Sequence, residues 1–255
     1  MDKEQAQLKE EEQVLHMWEP VHFEVKPGYD YLRNKKGQRF FRCLLLNAAT
    51  AVLTVFNYVC FGTTVHGRKY LKAVENTGAV TVCNHIHPMD CTMVNTALWG
   101  RRRYFVSLES NFRIPVAGHL LKILGAVPMS SKTTLAIEMF AAMEEALKSG
   151  ALVHIYPEGV LIPYAKGIRA LKNGVFRLAF RAGVPVLPMI ISQKKPSGLW
   201  AVFKKKPCLK IHILPPIYFE DIQSEKKNAG SLREACKKAY EDYLSENLQK
   251  EEENE

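Results

Sequence analysis

Apolar and polar residues fall in blocks along this chain, and from about residue 65 onward the blocks come in two sizes. Short runs rich in valine, isoleucine and leucine read as buried strands: Val80–Cys83, Tyr104–Leu108, Leu152–Tyr156, Val184–Ile191 and Leu209–Leu214. Between them lie longer stretches with apolar residues every three or four positions, the period of a helix with one buried face. Pro88–Trp99 is such a stretch and closes at Gly100. Leu135–Lys148 opens on Thr133 or Thr134 as a cap and closes at Gly150, and Leu171–Arg181 closes at Gly183. A last helix, Leu232 to about Gln249, is predicted to open on a Ser231-x-x-Glu234 capping box and to run into an acidic tail. Strand and helix in alternation predict an α/β domain whose mainly parallel sheet is flanked by helices.

Two segments precede that domain. Residues 1–39 form a polar extension, residues 40–64 a membrane-associating helix, and residues 65–255 the domain itself. The stretch Leu44–Phe61 is the most apolar of the chain, and about 20 such residues reach across a bilayer. It also carries Asn47, Thr50, Thr54, Asn57 and Tyr58, which are costly against lipid at mid-depth. Both flanks are basic: Arg33, Lys35, Lys36, Arg39 and Arg42 before it, Arg68, Lys69 and Lys72 after it. A spanning helix puts one of these flanks on the wrong side. A helix lying in one leaflet suits both flanks, and a core helix of a soluble domain is the remaining reading. The chain is therefore expected at the cytoplasmic face of a membrane, peripheral or monotopic.

Net charge sharpens that expectation. With 35 Lys and Arg against 26 Asp and Glu the chain carries +9, so its partner surface is anionic: acidic headgroups, a phosphorylated substrate or an acidic carrier. No aromatic-plus-basic nucleic-acid motif is present, and no nucleic acid is expected as a partner. Six scattered cysteines without C-x-x-C spacing read as free thiols. The acidic, polar start does not read as a secretory signal.

The candidate chemistry sits at two strand ends. Asn84-His85-Ile86-His87-Pro88-Met89-Asp90 directly follows the first strand. Pro88 reads as the first residue of a helix, so His85 is expected on the turn and Asp90 in the helix's first turn. A histidine oriented by a carboxylate can take a proton from a hydroxyl. Tyr156-Pro157-Glu158-Gly159 follows another strand. In parallel sheets the ligand crevice lies beyond the carboxyl ends of the strands. His85 and His87 are also an H-x-H pair, but no third ligand at a metal-site spacing accompanies them, so no metal is expected. The chain contains no G-x-S-x-G elbow, Walker loop or G-x-G-x-x-G.

Asn84-His85-x4-Asp90, then Pro157-Glu158-Gly159, then Val184-Pro185-Val186-Leu187-Pro188, in that order, resemble the glycerolipid acyltransferase family. The likeness is closest to 1-acylglycerol-3-phosphate acyltransferases. The resemblance implies a glycerol-3-phosphate acyltransferase-like fold. It also implies transfer of an acyl group from acyl-CoA or acyl carrier protein, as co-substrate rather than bound cofactor, to a lysophospholipid hydroxyl. His85 would be the base, Asp90 would orient it, Asn84 would help bind the acceptor, Glu158 would bind acceptor hydroxyls or brace the loop, and Gly159 would allow close backbone approach to the acceptor. Backbone N–H groups at the start of the Pro88 helix would stabilise the oxyanion. Two family arginines, credited with gripping the acceptor's phosphate, are replaced by Ser131 and by the pair Val160-Leu161. Lys132, Lys166, Arg169 and Lys172 are the substitutes at hand. The alternatives are the same chemistry on another hydroxyl acceptor and a non-catalytic membrane or carrier-binding module.

Overall fold

The computed structural model describes residues 22–33, 38–219 and 224–252. Most of the polar extension, including Lys35 and Lys36, lies outside the described residues. Eight α-helices are described: α1 Gln38–Phe61, α2 Arg68–Lys72, α3 Asp90–Ala97, α4 Ala117–Ile123, α5 Thr133–Lys148, α6 Gly174–Ala182, α7 Leu199–Phe203 and α8 Glu225–Glu252. Seven strands accompany them: β1 Val65–His66, β2 Ala79–Cys83, β3 Arg103–Leu108, β4 Ala126–Met129, β5 Leu152–Ile155, β6 Val186–Lys194 and β7 Cys208–Ile213.

The strands form one sheet in the order β1-β7-β6-β2-β5-β3-β4. All neighbouring pairs are parallel except β6 and β7, which are antiparallel. The two sheet faces are separate cores. Val80, Val82 and Val153 point toward α5, α6 and α8, against Met139, Phe176 and Leu232. Ala79, Cys83 and Leu152 point the other way, toward Met93 and Val94 of α3 and Leu98 at its end. This is the alternation of a pleated strand buried on both faces. It places β2 at the centre, with its carboxyl end opening into the loop that carries His85.

Several boundaries differ from the sequence reading for local reasons. The helix expected from Pro88 begins at Asp90, because Pro88 and Met89 form a turn in which the Asp90 N–H reaches the His87 carbonyl at 2.9 Å. The α5 N-cap is Lys132, with no side-chain cap bond, rather than Thr133 or Thr134. Leu171–Lys172 stays outside α6, since the Lys172 N–H is held by the Pro157 carbonyl at 2.8 Å. At the other end of α6, Gly183 adopts φ 68°, the left-handed cap that favours glycine. The last helix starts two turns earlier than expected. Ser231 is no cap, and its hydroxyl donates to the Lys227 carbonyl within α8. The extra turns form because Asn228 and Ala229 are buried against the domain.

The described part of the polar extension is packed down. Val25 and Tyr31 are buried, the Phe23 ring stacks on Phe112 at 5.1 Å, and Arg33 Nη1 donates to the Lys122 carbonyl at 3.1 Å. Residues 22–33 thus lie over the carboxyl ends of β3 and β4.

The helix α1 is docked by its polar residues. Thr50 and Asn57 are fully buried. Asn95 and Arg103 donate to the Thr50 hydroxyl at 2.7 and 2.8 Å, Thr92 donates to Asn57 at 2.9 Å, and Trp99 donates to Asn47 at 3.1 Å. The outward face is apolar: Phe41 is 71% exposed and Val52 70%, with Leu44, Val55 and Val59 beside them. Of the polar residues that made this segment an odd membrane helix, Asn47, Thr50, Thr54 and Asn57 face the protein, while Tyr58 is exposed.

Candidate functional site

The loop after β2 is organised around one carboxylate. Asp90 is fully buried, and its Oδ2 accepts the N–H groups of Ile86 and His87 at 2.7 and 2.9 Å. The same oxygen lies 3.0 Å from Nδ1 of His85. A carboxylate at a helix start satisfies orphan backbone donors, so the loop folds around Asp90. The His85 side chain is 23% exposed. With Nδ1 turned inward to the carboxylate, Nε2 is the nitrogen left for chemistry. The ring plane is held from a second direction, because Tyr156 stacks on it at 4.0 Å with an interplanar angle of 12°.

Behind this pair the side chains are buried. Burial pushes the Tyr156 phenol well above its ordinary range, and Asp90 adds to that, so Tyr156 stays neutral. Burial, with a smaller effect of His85, lowers His154 to about 3, and its Nδ1 pairs with the Thr81 hydroxyl at 3.0 Å. Cys91 is pushed up to about 11 by burial, so it is an unreactive thiol. His154 is absent from every motif the sequence shows. It shares the site because β5 lies beside β2 and pairs Thr81 with His154 in register.

Glu158 braces the loop. Its side chain is almost wholly buried and accepts the His85 N–H at 3.0 Å. Arg169 forms a short ion pair with it and also donates to the carbonyls of His85 and Val160. Asn84 does the same work on the other side. Its amide donates to the Ile191 carbonyl at 2.9 Å and accepts the Ile191 N–H at 2.7 Å, which ties the end of β2 to β6. Asn84 and Arg169 were expected to touch substrate, and Glu158 either to touch it or to brace the loop. The structure engages all three in holding the His85 loop.

The remaining cations divide. Lys132 pairs with Glu24 of the N-terminal strap at 2.9 Å. It follows β4, three strand spacings or about 14 Å from β2. Lys166 is exposed beyond the Pro157-Glu158-Gly159 turn. Lys172 is the one beside that turn: at Gly159, φ is 75° and a Cβ would stand 2.5 Å from Lys172 Nζ. Only glycine leaves the lysine that place.

Several backbone donors around the Pro88 turn are also spoken for. The N–H groups of Ile86 and His87 bind Asp90, that of Met89 binds His87 Nδ1 at 3.1 Å, and that of Asp90 binds the His87 carbonyl. His87 itself sits between the rings of Phe61 and Tyr164, at 4.8 and 5.7 Å.

Comparison with known proteins places this geometry. A model of the family described as acyltransferase matches residues 62–192. A chloroplastic 1-acyl-sn-glycerol-3-phosphate acyltransferase of Brassica napus is 28% identical over 135 residues, covering 52% of this chain and 38% of that protein. A 1-acyl-sn-glycerol-3-phosphate acyltransferase of Pseudomonas aeruginosa is 35% identical over 94 residues, covering 35% of this chain and 36% of that protein. The chain thus spans little more than a third of the length of these curated relatives. Its fold is similar to the crystal structure of the lysophosphatidate acyltransferase PlsC of Thermotoga maritima. The TM-score is 0.58 at 20% identity, over 82% of this chain and 84% of that one.

Proposed function

The chain belongs to the acyltransferase family, and on that premise we propose that it acylates the free hydroxyl of 1-acylglycerol-3-phosphate at a membrane surface, giving phosphatidate. The observation that carries the reading is the His85–Asp90 pair, with Nδ1 at 3.0 Å from the buried carboxylate on a side chain that is still 23% exposed.

His85 Nε2 takes the proton of the acceptor hydroxyl as its oxygen attacks the thioester carbonyl. Asp90 holds the tautomer and stabilises the imidazolium. The tetrahedral intermediate collapses with loss of the thiolate of CoA or of a carrier protein, which receives the proton back. No covalent acyl-enzyme forms and no bound cofactor takes part. General-base help of this kind is worth about 10²–10⁴-fold. The acceptor's phosphate meets Lys172, whose Nζ lies against Gly159 at the turn beside His85, with exposed Lys166 nearby. A lysine supplies charge without the bidentate fork of an arginine. The apolar outer face of α1 rests in one leaflet, so the site opens where lysolipids partition.

One observation favours a second reading. Arg169 is committed to Glu158 and to backbone carbonyls, and Ser131 and Leu161 carry no charge. An acceptor without a phosphate, such as monoacylglycerol, would need none of these cations.

Transfer from a labelled acyl thioester in mixed micelles tests both. Labelled phosphatidate from lysophosphatidate is expected from the unaltered chain. His85→Ala should lose at least about 10²-fold while keeping the thermal midpoint. Near-normal turnover by that variant removes the mechanism. Product from monoacylglycerol but not from lysophosphatidate selects the second reading.

A further inference from the structure

We propose that the β6–β7 hairpin is a second membrane contact, in which α7 and the lysines after it dock on an anionic leaflet beside α1. The inference rests on the reading of α1 as a membrane-lying helix. It adds an element that no sequence motif marks.

The hairpin leaves the sheet after Lys194 and returns at Cys208, carrying Leu199–Phe203 as α7. Val202 is 75% exposed and Phe203 76%, more than any large apolar residue of α1. Lys204, Lys205 and Lys206 follow at once. Two large apolar side chains at a tip, followed by three cations, are poorly suited to water alone. They suit an interface where the apolar tip enters the acyl boundary and exposed Lys205 and Lys206, the latter 5.5 Å from the Tyr164 ring centre, stay near acidic headgroups.

The hairpin is also fixed against α1, so the two surfaces move as one. Trp200 packs edge-on to Tyr58 at 5.0 Å, and its indole N–H donates to the Val59 carbonyl at 3.4 Å. Lys204 Nζ donates to the Cys60 carbonyl at 2.7 Å and stands 5.6 Å from the Phe61 ring centre. The carboxyl end of α1 is thus spliced to the hairpin, and Tyr58, Val59 and Cys60 are exposed beside the joint. A groove of about 170 Å³ runs between them, with Lys194, Lys210 and Thr64 in its lining. An ammonium-lined groove at the joint of two apolar surfaces is where a lipid phosphate would rest. A single helix lying in a leaflet is free to roll about its axis. A second contact removes that freedom and sets the tilt of the His85 opening.

Hydrogen exchange of the full chain, with and without vesicles, tests the proposal. Vesicles of phosphatidylcholine alone are compared with vesicles containing about one third phosphatidylglycerol. The expected result is slowed exchange over 199–206 as well as over α1, with more slowing over 199–206 on the anionic vesicles. Lys205→Ala with Lys206→Ala should weaken partition onto anionic vesicles by about fivefold per lysine and leave binding to neutral vesicles unchanged. Phe203→Glu should remove the slowing over 199–206 and keep it over α1. Protection of α1 with none over 199–206 overturns the hairpin contact and leaves the membrane reading standing. Protection of neither segment overturns both. Protection of 199–206 by an acidic acyl carrier protein, and not by vesicles, assigns the surface to the carrier and also overturns the proposal.

Discussion

The two longest helices are built in opposite senses. α8, 28 residues long, buries Ala229, Leu232, Cys236 and Tyr240 and turns lysines and glutamates outward. α1, 24 residues long, buries Thr50 and Asn57 and turns phenylalanine, leucine and valine outward. Both obey one rule: a polar group needs water or a partner, and an apolar one need not be near either. For α8 the outer surroundings are water, so the protein takes the apolar stripe. For α1 the protein takes the polar stripe instead, which fits the apolar outer surroundings of the proposed membrane contact. An exposed apolar face of this length marks an interaction surface rather than a solvated one. The buried Arg103 shows how far the second arrangement goes. It has no carboxylate partner among the described residues, and burial lowers it to about 10. Its hydrogen bonds go to Thr50, Asn95 and the Arg101 carbonyl.

The contrast can be broken at several points. Leu232→Ala, on the buried stripe of α8, should cost about 2–5 kcal/mol, read from urea unfolding. A loss under about 1 kcal/mol would mean that α8 is only loosely attached. Acid should come next. His154 is held near 3 against an ordinary value of about 6.5, so between those values the unfolded chain binds a proton that the folded chain does not. Stability is full above about pH 6.5 and falls as pH drops toward 3, by on the order of a few kcal/mol. His212, lowered to about 4 first by burial, pulls in the same direction from the α8 side, where its ring meets Tyr243 at 4.9 Å. Urea midpoints that rise from pH 7 to pH 5 would contradict this sign.

Smaller effects separate the faces of α1. Thr50→Val keeps the shape and strips the hydroxyl that Asn95 and Arg103 reach, so about 1–3 kcal/mol should be lost. A neutral result would show that the polar stripe does not hold the helix. Val55→Glu, on the outer face, should change stability by no more than about 0.5 kcal/mol while lowering retention on vesicles. A loss as large as that of Leu232→Ala would mean that protein, not lipid, covers this face.

Much of the site was legible because the chemistry is local. His85 and Asp90 are five residues apart on one loop, and the proline between them forces the turn that folds one onto the other. The roles of Asn84 and Arg169 were not legible, and the choice between the two readings of Glu158 was open, because each depends on a partner far along the chain: Ile191 for Asn84 and the His85 loop for the other two. A polar residue in a motif looks the same whether it faces a ligand or a neighbouring strand. His154 came to the site through the pairing of β5 with β2, which no local pattern reports.

The same division runs through the whole molecule. By itself the sequence determined the alternation of strands and helices, the parallel character of the sheet, the His85–Asp90 corner and the existence of an apolar helix ahead of the domain. These follow from periodicity, turn chemistry and short-range spacing, which act over a few residues. The tertiary structure decided the short strands β1 and β4, which hold only two and four residues and exist because a neighbour pairs with them. It decided the early start of α8, where burial of Asn228 and Ala229 outweighs a good capping box further on. It decided above all which way α1 faces. Composition shows that polar and apolar residues share that helix, but only the donors waiting on α3 and β3 determine that the polar ones turn inward.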